Sequence, residues 1–459
     1  MFSQSIPNTA GAARKITLLS ILQISLPLTV LVYCAGFHYS YVNWVSPVWA
    51  YEGLTYASPP PVLLVLAYAL AALLAVVSPP KLLKPSHAAY WILLFIVYVP
   101  GIFVPLFLRL VGEPGLLALQ LGLTGGMLII AFSSRLPSLN FPRYPLDSGL
   151  FWGIFLAIYL IGNAMMIVVY RNYIHFASLE TMYSVRHESG KVLVQNPITG
   201  YISQLLANVL NPLLMVYGFA KRKKKLALLG FAGQLLLYGI FANKLTLLSP
   251  IVIAGLYYTV KNDRGGWIPK MSLFLAGVFF SLTTLVIGVG SGILFNLATV
   301  AIVRNFAIPG MLVGQYQYFF ENEPHTYLGT VTGISLIVPD AYTLPVGVEV
   351  SAFYGAKDDS ERGRANGNAS LFATDGIAAF GLWGIPIAGA MCAIVLWVLD
   401  GCAKNYAIEF SVAANTMVIY SFANVSLFTT LLGNGLIVWM LLFVFMPRSF
   451  SDPALVRRV

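Results

Sequence analysis

Charge is what this chain has least of. Only 10% of its 459 residues are Asp, Glu, Lys or Arg, against about 25% in soluble domains, which excludes a chain built of water-exposed globular surfaces. Cysteine is scarce as well: Cys34, Cys392 and Cys402 lack paired or metal-ligand spacing, so a disulfide framework is excluded and all three read as packing residues. There is no GxxxxGK[ST] phosphate loop, no HExxH helix and no credible Rossmann fingerprint, which leaves ATP hydrolysis, zinc proteolysis and nicotinamide chemistry without support. The one adjacent acidic pair, Asp358 and Asp359, stands in KDDSERGR with nothing nearby to complete a cation's ligand set. Neither a metal nor a cofactor is expected. The net charge of +10 comes from short basic clusters between apolar runs rather than from one basic face, which argues against nucleic acid as a partner.

What is abundant is apolar surface. Hydrophobic residues make up 58% of the chain, and its mean hydropathy is +0.79. This composition defines an all-α polytopic membrane protein whose first partner is the lipid bilayer. Twelve apolar runs are long enough to cross, or nearly cross, a hydrocarbon core of roughly 30 Å: 16–33, 61–78, 88–108, 116–132, 150–170, 201–220, 226–241, 245–260, 271–289, 382–399, 407–427 and 431–445. Arg14 and Lys15 precede the first run, yet CAGFHYS after it offers no small-residue cleavage site, so an uncleaved span is expected rather than a signal peptide. With the N-terminus in the cytoplasm, 18 of the 27 Lys and Arg fall on the inner side, KRKKK at 221–225 among them. The positive-inside rule then places both termini in the cytoplasm. The same topology leaves 12 of the 17 Asp and Glu, and four of the five His, outside.

The chain thus divides into residues 1–303 with nine spans and an outer loop at 171–200, a large external segment 304–381, and residues 382–459 with three spans and a cytoplasmic C-terminus. Residues 271–303 carry no charge, and as one helix they would run roughly 50 Å, too long for a single crossing. Glycines in GVGSG at 288–292 mark the expected break. Beyond it the chain either lies along or dips back into the outer leaflet, or continues as a tilted long span.

The segment that follows carries RNFAIPGMLVGQYQYFFENEPHTYLG and then NGNASLFATDGIAAFGLWG. These stretches resemble the external loop of the Wzy-type polymerases of O-antigen and capsule repeat units, with an Arg near the loop start, an aromatic run into a Pro-His-Thr-Tyr-like segment, and an amide-rich stretch before Asp-Gly-x-Ala-x-Phe-Gly. NKLTLLSP at 243–250 resembles the Lys-containing turn of that family, while Asn366-Gly367-Asn368-Ala369 departs from its commoner Asn-Ala-Asn order. The match covers about one fifth of the chain. It implies a GT-C-like membrane glycosyltransferase of the bacterial cytoplasmic membrane that joins undecaprenyl-pyrophosphate-linked oligosaccharides at the outer face, with a chain-length regulator as a further partner. An O-antigen ligase and a polysaccharide flippase or exporter are the alternatives. A transporter should carry polar residues along a path within its spans, whereas here they gather in external segments.

Such a reaction needs cations for the pyrophosphate leaving group and a base for the acceptor hydroxyl. Arg304, Lys244 and Arg171 are the candidate cations. Each also fits an interfacial anchor, Arg171 best of the three. The candidate bases are His325, otherwise a hydrogen-bonded loop histidine, and Asp375, otherwise a helix cap. The resemblance adds Tyr327, Asn366 and Asn368 as substrate-binding residues.

Overall fold

Inside hydrocarbon each backbone N–H and C=O must find a partner within its own segment, and a helix is the form that provides it. The computed structural model describes residues 26–175, 182–263, 266–331, 333–355, 367 and 371–451, and no strand occurs among them. The helices are α1 (26–49), α2 (Pro61–Val77), α3 (Pro85–Leu108), α4 (Glu113–Ser133), α5 (Ser148–Tyr170), α6 (Met182–Gln195), α7 (Pro197–Ala220) and α8 (Lys224–Phe241). They continue as α9 (Lys244–Lys261), α10 (Trp267–Val286), α11 (Ile293–Asn322), α12 (Val346–Phe353), α13 (Leu371–Phe380), α14 (Gly384–Ala403), α15 (Ile408–Ser421) and α16 (Leu436–Phe445). Each of the twelve expected runs overlaps a helix, although residues 16–25 of the first, like 1–15 and 452–459 of the expected cytoplasmic termini, lie outside the described residues.

Eight helical segments among the described residues are long and apolar enough to cross a membrane: α3, α4, α5, α7, α8, α10, α11 and the stretch Thr374–Ala403; α2 and α16 are apolar but shorter. The protein is therefore an all-helical, polytopic membrane protein. One of the eight, α11, follows the expected break at the glycines, with Gly288 and Gly292 at φ +79° and +110°. The helix continues through Arg304, where an external segment is expected to begin, as far as Asn322, since a single arginine on a partly exposed helix face does not end a helix.

Contacts show the course of α11. Tyr33 of α1 donates to Phe95 O of α3, and Tyr41 packs on Phe107, so α1 and α3 run in the same direction. Trp49 and the start of α4 thus share one end of the bundle. Phe295, at the beginning of α11, stacks on Trp49, and Gln317, near its end, donates to Gly115 O of α4 at 3.0 Å. Between them Phe306 packs on Tyr33, Phe37 and Phe279, about 24 Å of helix away from Trp49. The helix therefore enters and leaves at the same end, bending at the π-helical segment Thr299–Ala307, where a widened turn lets the axis change direction. Wide turns recur elsewhere, and neighbouring side chains use the carbonyls they release: Tyr33 on Phe95 O, Gln234 on Ala207 O and Trp439 on Asn208 O.

The stretch Thr374–Ala403 is likewise no straight rod. Gly381 adopts φ +63° and opens a short turn, and α13 folds back along α14. The two arms meet without side chains: a Cβ on Gly376 would lie 2.6 Å from the Gly384 carbonyl. α14 packs equally closely on α4 through Gly389 and Gly126, the small-residue contact that lets helices approach in lipid. At its far end Asp400, 2% exposed, accepts from Ser86 N at 2.9 Å and from Ser86 Oγ at 2.5 Å, satisfying donors in the first turn of α3.

Basic residues collect at that far end. Lys84 donates to Ser134 O and Leu136 O, Lys404 to Asn140 Oδ1, and Arg143 to Tyr406, Met446 and Ser451. Tyr217, four residues before the KRKKK cluster, stacks on Phe450 there. The histidine and most of the acidic residues of the 321–349 region lie at the opposite end, around the tip of the α13–α14 hairpin.

The hairpin makes its own prediction. Gly376→Ala should lower the thermal midpoint of the detergent-solubilised protein, by about 1–3 kcal/mol of overpacking, whereas Gly277→Ala in α10, which meets nothing within 4 Å, should leave it unchanged or slightly raised. Equal midpoints for the two variants would contradict the folded-back arrangement.

Candidate functional site

The chain leaves α11 at Glu323, in extended conformation, and Pro324 holds it there. Thr326 then clamps the following turn onto α13, its N–H and Oγ1 both donating to Ala378 O at 2.8 and 3.1 Å. This satisfies a carbonyl that the end of α13 would leave unpaired. Tyr342 donates its hydroxyl to Pro324 O from the other side. Burial, with Glu323, Glu349 and Asp340 nearby, pushes that hydroxyl up to about 12, so it remains a donor. Tyr327 and Leu328 both take left-handed backbone, φ +47° and +65°, a conformation residues with side chains rarely hold unless surrounding contacts impose it.

His325 sits inside this clamp, over the hairpin tip. Its Nε2 lies 3.1 Å from the place a Cβ on Gly381 would occupy, so the glycine is required twice, for its positive φ and for room for the ring. Phe320 and Tyr327 flank the imidazole at 5.8 and 6.2 Å. Nδ1 is buried without a hydrogen-bond partner among the described residues. Partial burial lowers the pKa of the ring from the ordinary 6.5, which keeps it neutral and able to accept a proton at neutral pH. Tyr327 is 57% exposed and packs on Phe380, at the rim of the tip.

Asp375 lies in the middle of α13, and the backbone it caps belongs to another segment: Oδ2 accepts from Leu427 N at 2.8 Å, beyond the end of α15. The carboxyl also lines a crevice of about 20 Å³ with Leu328, Phe380, Ile387, Met391 and Phe428, enough for one water. Ile387 is 48% exposed, so the crevice opens on the outer surface of the bundle. About 9 Å of helix separate Asp375 from Gly381 beneath His325.

Arg304 is exposed and lies on the π-helical segment at the deep part of α11, next to Asn305, which Tyr420 pins by a 2.7 Å bond to Oδ1. About 27 Å of helix run from Arg304 to Asn322, so the structure does not gather Arg304 and His325 into one cluster. Lys244 and Arg171 occupy a third place. Lys244 is the first residue of α9, after a two-residue turn in which Asn243 accepts from Leu245 N. Arg171 follows α5, and the segment after it docks on the same turn through His175 N to Gly239 O and Arg186 to Ala242 O. Asn366 and Asn368 lie outside the described residues; Gly367 between them donates to Gly347 O at 2.8 Å and packs on Leu312.

Thr326, Tyr342 and Gly381 escaped the sequence reading. For Gly381 a signal was present, since the FGLWG stretch puts a glycine directly after an aromatic residue in a turn; the pairing of Tyr342 with Pro324 is tertiary and had none. Among the described residues no three His, Cys, Asp or Glu side chains are grouped to hold a metal ion. Compared with known proteins, the chain matches no family model, no curated protein and no solved structure.

The histidine can be tested directly. Its protonation midpoint, followed by NMR of ring-labelled protein with His325→Gln for assignment, should fall below 6.5, the ring being neutral above that pH and charging only as the pH falls further. A midpoint at or above 6.5 would contradict the clamped, partly buried ring.

Proposed function

We propose that this protein is a polymerase of lipid-linked oligosaccharide repeat units, working at the end of the bundle opposite its basic cluster. In this reading that end is the outer face of a bacterial cytoplasmic membrane, with twelve spans and both termini inside, the orientation that the positive-inside rule favours. The observation that carries the reading is a pair of helices dipping in from one end: α11, carrying Arg304, and α13, carrying Asp375 beneath His325. Ionisable groups set in apolar helices are costly and mark ligand or ion paths, and a donor whose lipid tail stays in the bilayer must meet its enzyme at such a boundary.

In this reading the acceptor is a sugar hydroxyl at the non-reducing end of one lipid-linked unit. Its oxygen attacks the anomeric carbon at the reducing end of the other chain, and the bond from that carbon to the pyrophosphate oxygen breaks. The electron pair leaves with the lipid pyrophosphate, and the hydroxyl proton passes to a base. His325 fits the base, being neutral at working pH with Nδ1 uncommitted to any described partner. Arg304 fits the pyrophosphate, since its planar fork of donors matches two phosphate oxygens. The span between Arg304 and His325 requires an extended substrate, or closure of α11, to engage both at once. Asp375 holds the chain at Leu427 in place and adds a carboxyl group at the crevice, while Lys244, Arg171, Tyr327, Asn366 and Asn368 remain candidates for contacts along the saccharide.

Surface polysaccharide in a deletion strain distinguishes the readings. Capped single repeats are expected; loss of all lipid A attachment would indicate a ligase, and lipid-linked units retained inside the cell a flippase. At matched membrane abundance Arg304→Lys should lose most chain extension and Arg304→Ala nearly all, and His325→Ala should lose about 10²–10⁴-fold. Asp375→Asn keeps an acceptor oxygen for Leu427 N–H, so a large loss in that variant assigns a role to the charge, and full activity reduces the residue to a cap. Extension is expected to persist in chelator, cationic side chains serving the leaving group; arrest that magnesium reverses would contradict this.

A further inference from the structure

The basic end of the bundle carries a groove that the proposed reaction does not use. It lies between α7, α8 and α9, encloses about 870 Å³, and is lined along its length by Phe219, Phe231, Ile251 and Tyr258 and at its mouth by Arg222 and Lys224. Its origin is local. α7 and α8 pack backbone to backbone, a Cβ on Gly218 lying 2.6 Å from Ala227 N. α9 contains Pro250, which lacks the N–H of a helical hydrogen bond, and a Cβ on Gly255 would meet nothing within 4 Å. Two helices are held tight, and the small residues Ala254 and Gly255 of the third floor the gap.

The mouth is shaped by the turn between α7 and α8. Arg222 takes φ +54°, and Lys223 N closes the turn on Gly218 O at 2.8 Å. Lys223 directs its ammonium to the Tyr217 ring, at 5.7 Å, whereas Arg222 and Lys224 border the groove and are exposed. An apolar trough of this size ending in two cations, inside a cluster of five, is complementary to an amphiphile with hydrocarbon tails and an anionic head. Basic pockets between membrane helices bind anionic lipid head groups on the same grounds.

We propose that the groove is a binding site for an anionic phospholipid of the surrounding leaflet, its acyl chains between α8 and α9 and its phosphate on Arg222 and Lys224. The site holds α9, whose first residue is Lys244, against α8. The lipid thus braces a helix that reaches from the basic end to the opposite one.

Full-length protein in neutral detergent, titrated with phosphatidylglycerol or phosphatidylcholine and examined by native mass spectrometry, should retain phosphatidylglycerol roughly 30-fold more strongly, two cations contributing. Arg222→Gln combined with Lys224→Gln should bring that ratio within about threefold, and Lys270→Gln, at the same end but outside the groove, should leave it unchanged. Gly255→Phe, which fills the floor and keeps the charges, should reduce retention of both lipids, while its unchanged helix content by circular dichroism shows that it folds. Equal retention of the two lipids by the wild type, an unaltered ratio in the double variant, or undiminished retention in Gly255→Phe would each overturn the proposal.

Discussion

Hydrocarbon offers no hydrogen bond, and the departures of this molecule from straight helices follow from that constraint. Where a turn widens, a side chain from another helix takes up the freed carbonyl, as Tyr33, Gln234 and Trp439 do. Where a helix begins inside the bundle, a carboxylate from elsewhere meets its first donors, as Asp400 does for α3. Asp375 does the same for the chain at Leu427. A charged residue kept in such a position at the cost of desolvation is replacing water that the surroundings cannot supply.

The same constraint explains how polar groups come to lie close to a lipid-facing surface. A crossing helix has little use for arginine or aspartate, but a helix that dips in and returns exposes its turn to both lipid and solvent. α11 is such an element, entering and leaving at the end that lacks the basic cluster, and the tip of the α13–α14 hairpin lies at that same end. Bare backbone makes the hairpin possible: Gly376 and Gly384 touch, and Gly381 takes the turn that brings α13 back under His325. The loop over it is drawn tight by Thr326 and Tyr342, so the imidazole is positioned by backbone contacts rather than by a second ionisable group.

Much of this was legible in the sequence, and the reason it was legible also marks its limit. Apolar runs announce helices because burial in lipid is decided within each segment, so the helix class and the places of twelve helices follow from those runs, whereas α6, α11, α12 and α13 match none of them. The break at 288–292 was visible because glycine acts locally. The helical continuation through Arg304 was not visible, because a charge reads as an ending when the helix turns one face outward. The hairpin was hidden in LFATDGIAAFGLWG, where a mostly apolar run before a glycine looks like the entrance of one long span; only the contact of Gly376 with Gly384 reveals the fold-back. For Asp375, a candidate base, the alternative legible in the sequence is a cap of its own helix, while the backbone it serves lies fifty-two residues away. His325 and Asp375 do share one element pair, α13 with the loop upon it, whereas Lys244 and Arg171 belong to another, a division that spacing along the chain cannot disclose.

The central claim is that a lipid-linked saccharide is extended at the end opposite the basic cluster. The most direct measurement supplies purified protein in nanodiscs with a single defined lipid-pyrophosphate oligosaccharide and follows product size and lipid pyrophosphate release by mass spectrometry. The account predicts products of two and more repeats with one lipid pyrophosphate released per joining, in the absence of any nucleotide. Unaltered substrate under conditions where the protein remains folded, or lipid pyrophosphate released with free saccharide and no longer chains, would contradict it.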